Sequence, residues 1–263
     1  MIPVNLVGTV RELVPTFCGE AVLAVGDNGR IQNWETAEDD LVVETFASDV
    51  QLEVGAKLAT WHDGKMVAVV GVDKVEVYEF EPNGRLALVA GLGHALPTVA
   101  TLFVARTEED SPNTTIVAVT TTAEVTIWTY SASRKQLFEG STQSLHREGE
   151  AEVGLTAAVP VREYKEREEE VSMLVVDRGG TFAFWTMDLG VEDDEWKAGP
   201  AVRTARREVR LGACSPDCLT ALVAETSEGL ELSIWDSKSS EFTTGQQFAA
   251  LLEYVNNFPS ETD

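Results

Sequence analysis

The sequence predicts an all-β protein of about five repeated four-stranded antiparallel blades, the architecture of a β-propeller. Two observations carry this. First, a short phrase of alternating polar and apolar residues closing on an aromatic occurs five times: GRIQNW at Trp34, DKVEVY at Tyr78, AEVTIW at Trp128, GTFAFW at Trp185 and LELSIW at Trp235. Such alternation marks a half-buried strand, and the aromatics recur at intervals of 44, 50, 57 and 50 residues. Second, a short apolar run precedes each phrase across a polar or glycine-containing turn, at 22–25, 67–70, 116–119, 173–176 and 219–223. Two strands joined by a turn and repeated at this period give a blade. A β-sandwich of similar hairpins is the competing architecture, but it does not require so regular a spacing.

Taken in order, residues 5–9 and 10–17 read as strands before or opening the first blade, which continues through 21–25, 31–35 and 41–46. The second blade uses 57–61, 66–70, 74–80 and, after the Pro82-Asn83-Gly84 turn, 85–90. The third opens near Gly93-His94 and runs through 98–105, 115–119, 124–130 and 136–139, with an insertion at 106–113. The fourth has 154–161, 172–176, 181–187 and 196–203. Its insertion REYKEREEE, 162–170, is charged throughout and has no apolar stripe, so it reads as a solvated loop. The fifth uses 209–213, 220–224, 230–236 and 241–248. Residues 1–250 are thus assigned to blades and 251–263 to a C-terminal tail. Ile127, Phe184 and Ile234, each preceding a repeat tryptophan, are expected to be buried between blades.

A chain of 263 residues can bury a large core. Its formal charge of −24, from 44 acidic against 20 basic residues, argues against nucleic acid or an anionic membrane surface as partner. No apolar run approaches a transmembrane span, and MIPVNLVGTV lacks the features of a signal peptide, so a soluble cytoplasmic protein is expected. Cys18, Cys214 and Cys218 form no disulfide framework, and with three histidines they give no support for a zinc site. There is no G-x-S-x-G, H-E-x-x-H, Cys-x-x-Cys or glycine-rich phosphate loop. No catalytic, cofactor-binding or metal-binding residue is therefore assigned.

Strand order sorts the charged loops. In a four-stranded meander the first and third turns leave from one end and the other connections from the opposite end. The acidic runs 38–40, 108–110, 166–170 and 192–195 all fall in first or third turns, and are expected on one face. Arg203, Arg206, Arg207 and Arg210 fall in or beside the connection between the fourth and fifth blades, on the opposite face. An acidic face would steer a basic partner, and the arginines are the candidate grip for a carboxylate-rich one.

The Trp235-Asp236 pair in ELSIWDS and the Gly93-His94 dipeptide resemble the phrases of WD repeats, in which such a histidine hydrogen-bonds within the blade. Residues 175–248 resemble something narrower. The succession GTFAFW, an acidic segment reaching EWKAGPAVRT, then CLTALVAETSEGLELSIWDSKSSEF is similar to the N-terminal propeller region of the RAVE-complex large subunit, the rabconnectin or DmX-like family. That resemblance implies a non-catalytic protein-interaction scaffold assisting assembly of the V-type proton ATPase. Its partners would be peripheral-sector subunits, and its location the cytoplasm, peripheral to endosomal or vacuolar membranes. The alternatives are a propeller subunit of another large complex, of nucleoporin, Elongator or Mediator type, and a propeller enzyme or lectin-like domain. WD propellers most often have seven blades, so five imply an incomplete ring with an exposed edge strand, prone to associate.

Overall fold

The computed structural model describes residues 10–15, 21–26, 29–35, 50, 52–61, 65–81, 85–107, 113–146, 154–161, 170–188, 195–203, 209–214, 219–226, 229–236 and 241–247. Every regular element among them is a strand, and every pairing between strands is antiparallel between sequence neighbours or near neighbours. The chain divides into two compact units, 1–120 with 124–144, and 121–123 with 145–263.

The first unit holds three sheets. The first comprises β1 (Val10–Pro15), β2 (Ala21–Gly26) and β3 (Ile31–Glu35). The strands expected at 5–9 and 41–46 lie outside the described residues. The second sheet runs β4 (Lys57–Trp61), β5 (Met66–Val70), β6 (Lys74–Phe80), β7 (Leu86–Gly93), as the sequence predicts. The third runs β8 (Val99–Thr107), β9 (Asn113–Thr120), β10 (Glu124–Ser131), β11 (Gln136–Ser144). The strands flanking the expected insertion extend into it from both sides. The first strands lie side by side, β4 beside both β1 and β8.

The second unit holds β12 (Leu155–Val161), β13 (Glu170–Asp177) and β14 (Thr181–Asp188), with the short β15 (Lys197–Ala198) and β16 (Val202–Arg203) both pairing with β14. It also holds β17 (Val209–Cys214), β18 (Leu219–Thr226), β19 (Gly229–Asp236) and β20 (Glu241–Gln247), in that order. Here β12 lies beside β17. The fourth strand expected at 196–203 is broken into two pieces. Pro200 lacks the N–H a ladder needs, and the register slips by one between the Trp185–Ala198 and Phe182–Val202 pairs. Glu170, placed in a solvated loop by composition, pairs instead with Asp188; the rest of that loop lies outside the described residues.

The five repeat aromatics sit on third strands: Trp34 on β3, Tyr78 on β6, Trp128 on β10, Trp185 on β14 and Trp235 on β19. They face Val22, Val67, Ile116, Met173 and Thr220 respectively. Trp128 is fully buried, and Tyr78 and Trp185 nearly so. Beside Trp128 the core of the second and third sheets gathers Trp61, Ala68, Val75, Val77, Ile116 and Tyr130. A second cluster joins Leu23, Val25 and Ile31 of the first sheet to Leu58, Val67 and Tyr78 of the second.

Ile127 is buried as expected, whereas Phe184 and Ile234 are only half-buried. On the face of β14 opposite Trp185 the buried ring is Phe182, packed with Leu174 and Val176, while Phe184 sits at the margin of that cluster. Phe182 and Phe184 share a face because strand side chains alternate, so the pattern gives the face but not the depth.

Candidate functional site

Each blade must satisfy the carbonyls of the turn between its second and third strands. In the first three blades the segment leaving the blade does this. The Leu52 N–H donates to the Gly29 carbonyl, the Leu96 N–H to Val72, the His94 N–H to Asp73 and the Leu145 N–H to Ala123, at 2.7 to 3.1 Å. Leu52 and Leu145 are buried, and Leu96 packs against the core of the second and third sheets. This leucine clasp escaped the sequence reading, though it left a signal: Leu52 and Leu96 each fall 18 residues after their repeat aromatic, and Leu145 falls 17 after Trp128.

On the second sheet the clasped end carries exposed apolar side chains. Glu53 to Ala56 form a tight turn, closed by the Ala56 N–H to Glu53 carbonyl bond at 3.2 Å, with Gly55 at φ +89°. The third position of a type II turn requires that conformation, and the turn presents Val54 at its tip. The β5–β6 hairpin, closed by Gly71 N–H to Lys74 carbonyl at 2.9 Å, presents Val72. Val54 is 89% exposed and Val72 64%. The two turns adjoin, since a Glu53 carboxylate oxygen lies within 3.4 Å of where a Gly71 Cβ would stand. Glu53 and the exposed Asp73 supply negative charge beside both valines.

The cation nearby is engaged. Lys74 Nζ lies 3.0 Å from Glu76 Oε2, which also accepts the Tyr78 hydroxyl at 2.8 Å. The hydrogen bond to Glu76, and then its charge, raise the Lys74 pKa. The Tyr78 hydroxyl is raised above its ordinary value by burial first, then by the hydrogen bond to Glu76 and its charge. This line of side chains along β6 ties an exposed ion pair to the blade's buried aromatic.

His94 makes the contact within its blade that a Gly-His dipeptide implies. Its Nδ1 lies 3.1 Å from Glu139 Oε1 on β11, and its ring meets Trp128 edge-on at 5.6 Å. Gly93 itself belongs to β7.

The arginine cluster is described in part. Arg203 is exposed at the end of β16, paired across the backbone with Thr181. Arg210 is the bulge residue near the start of β17, between the Val209–Ala224 and Leu211–Val223 pairs. Arg206 and Arg207 lie outside the described residues. The bulge is a repeat feature that the sequence did not reveal. The first strands β1, β8 and β12 bulge at the same second position, at Arg11, Ala100 and Thr156. The acidic runs at 38–40, 108–110, 166–169 and 192–194 lie outside the described residues; of their members Glu170 and Glu195 are described.

Among the described residues no group of three His, Cys, Asp or Glu is placed to hold a metal ion, and no helix is long and apolar enough to cross a membrane. No family model matches the chain, and no curated protein matches it. Solved structures do. The WD40 domain of SCAP from fission yeast superposes with a TM-score of 0.65 at 12% identity, over 94% of this chain and 54% of that one. The fission yeast SREBP–SCAP binding-domain complex gives 0.60 at 12%, over 94% and 63%. The SapL1 lectin, solved with α-methyl fucoside, gives 0.57 at 15%, over 89% and 78%. The chain thus spans about half to three-quarters of the length of these structures. At such identities the likeness is one of fold, and the fold is that of a WD40-type β-propeller.

Proposed function

We propose that this chain is a non-catalytic protein-interaction scaffold whose second blade docks a partner through Val54 and Val72. The carrying observation is the exposure of two apolar side chains at adjoining turn tips beside Glu53 and Asp73. Exposed apolar groups rimmed by charge mark docking surfaces, and the carboxylates select a partner with basic residues flanking an apolar one. The propeller fold supports the reading, as does the SREBP–SCAP complex, in which a propeller of this fold is solved with another protein.

The finer reading is assistance in assembling the V-type proton ATPase, with peripheral-sector subunits as partners and a cytoplasmic location peripheral to endosomal or vacuolar membranes. Its support is the succession of features over residues 175–248. Arg203, Arg206, Arg207 and Arg210 are then the grip for a carboxylate-rich segment of a partner.

Capture of purified V-ATPase peripheral sector on the immobilised chain tests this. The expected result is retention that falls when Val54 and Val72 are both changed to Ser, at unchanged melting temperature. Retention indifferent to that change removes the valines from the interface. No retention at all removes the V-ATPase reading.

A further inference from the structure

An edge strand exposes a row of unpaired N–H and C=O groups, and proteins usually guard such edges with charge. The last described strands of the third, fourth and fifth sheets follow this habit. Glu139 lies on β11, Glu241 on β20, and Lys197 and Arg203 on β15 and β16. Strand β7, LALVAGLG, carries no charged residue at all. It ends the order β4-β5-β6-β7, so one of its two backbone edges has no strand partner among the described residues. Leu88 on it is 59% exposed, and Gly91 and Gly93 are exposed as well. Its one guarding feature is a bulge at Val89, which divides it into Leu86–Leu88 and Ala90–Gly93.

We infer that β7 is the edge through which this chain pairs with a second copy of itself, antiparallel, extending the second sheet across a twofold axis. Charge permits that occupant here, and the ends of the strand favour it. At −24 per chain, two copies repel over most of their surfaces. An uncharged strand is one place where they meet with no like charges opposed. The ends are complementary too: Arg85 precedes β7, while Asp73 lies beside its far end, its carbonyl bound by the His94 N–H. Antiparallel alignment brings the Arg85 end of one copy to the Asp73 end of the other. This pairing uses the backbone edge of β7 rather than the turn tips that carry Val54 and Val72, though the two surfaces meet at Asp73.

Sedimentation velocity of the full chain at low and at physiological salt tests it. The expected result is a monomer–dimer equilibrium that shifts toward dimer as salt screens the net charge. Leu88→Lys, on an already exposed side chain, should abolish the dimer, and the milder Leu88→Ser should weaken it. Ala132→Lys, adding the same charge at an exposed position in the turn between β10 and β11, should leave the dimer intact. Circular dichroism confirms that each variant is folded. A wild-type monomer at both salt concentrations overturns the inference, as does a dimer that survives Leu88→Lys or that Ala132→Lys abolishes equally.

Discussion

Phe182 is the most informative single position for the packing of the second unit. Its side chain is 1% exposed, enclosed by Leu174 and Val176 and bordered by Ala157, Val159 and Val202. Its ring meets Trp235 of the next blade edge-on, at 6.1 Å between centroids and 72° between planes. Truncating a fully enclosed phenylalanine costs about 3 to 5 kcal/mol, because the cavity persists. About 0.5 to 1.5 kcal/mol of the native stabilisation is the oriented aromatic pair. Phe184, two residues along and on the same face, is only half-buried, so removing it should cost about 1 to 2 kcal/mol. Phe182→Ala and Phe184→Ala should therefore separate clearly in urea unfolding followed by circular dichroism, with Phe182→Leu between them. Equal losses, or a larger loss at Phe184, would refute the assignment of Phe182 as the residue joining the fourth and fifth blades.

Three further outcomes are expected. The Tyr78 and Tyr130 hydroxyls are both raised, chiefly by burial, so the folded state holds these protons more tightly than the unfolded chain. Stability should be level below about pH 10 and fall as pH climbs from there toward the folded values. Tyr78→Phe should cost about 1 kcal/mol at neutral pH and remove part of that alkaline loss, read from denaturation midpoints between neutral and alkaline pH. Gly140→Ala places a Cβ 3.0 Å from the Ile127 carbonyl oxygen and should lower the melting temperature, whereas Gly93→Ala, with nothing within 4 Å, should not. Gly55→Ala should cost about 1 to 2 kcal/mol from backbone conformation alone, as its φ of +89° is adverse and the space around it is open.

Much of the blade pattern was legible because alternation and turn chemistry are local. The second blade's strands match their expected limits at β4, β5 and β6, and β7 extends three residues further. The misses share a cause. Trp61 and Trp196 are buried without belonging to any repeated phrase, and Trp61 meets Tyr130 of the next sheet, a partner distant in sequence. The bulges at Ala100, Thr156 and Arg210 leave no compositional mark, because many residue types tolerate one. Of the candidate site, the arginines were found by charge, while Val54 and Val72 were passed over because an isolated valine in a turn has no pattern. Their exposure is visible only once the two turns are seen to adjoin.

The leucine clasp sets where one repeat stops and the next begins. The hairpin at Val72 and Asp73 is completed by backbone groups of His94 and Leu96, beyond the last strand of its own sheet. The closed unit of inheritance thus runs from one clasp leucine to the next, Leu52 to Leu96, offset from the strand-to-strand blade. A chain interrupted after Gly93 keeps all four strands of the second sheet yet leaves two turn carbonyls unanswered. One interrupted after Leu96 satisfies both. During synthesis, each of the first three blades would become proteolytically resistant only after the first residues beyond its last strand had emerged, so protection should advance in steps that lag the strands.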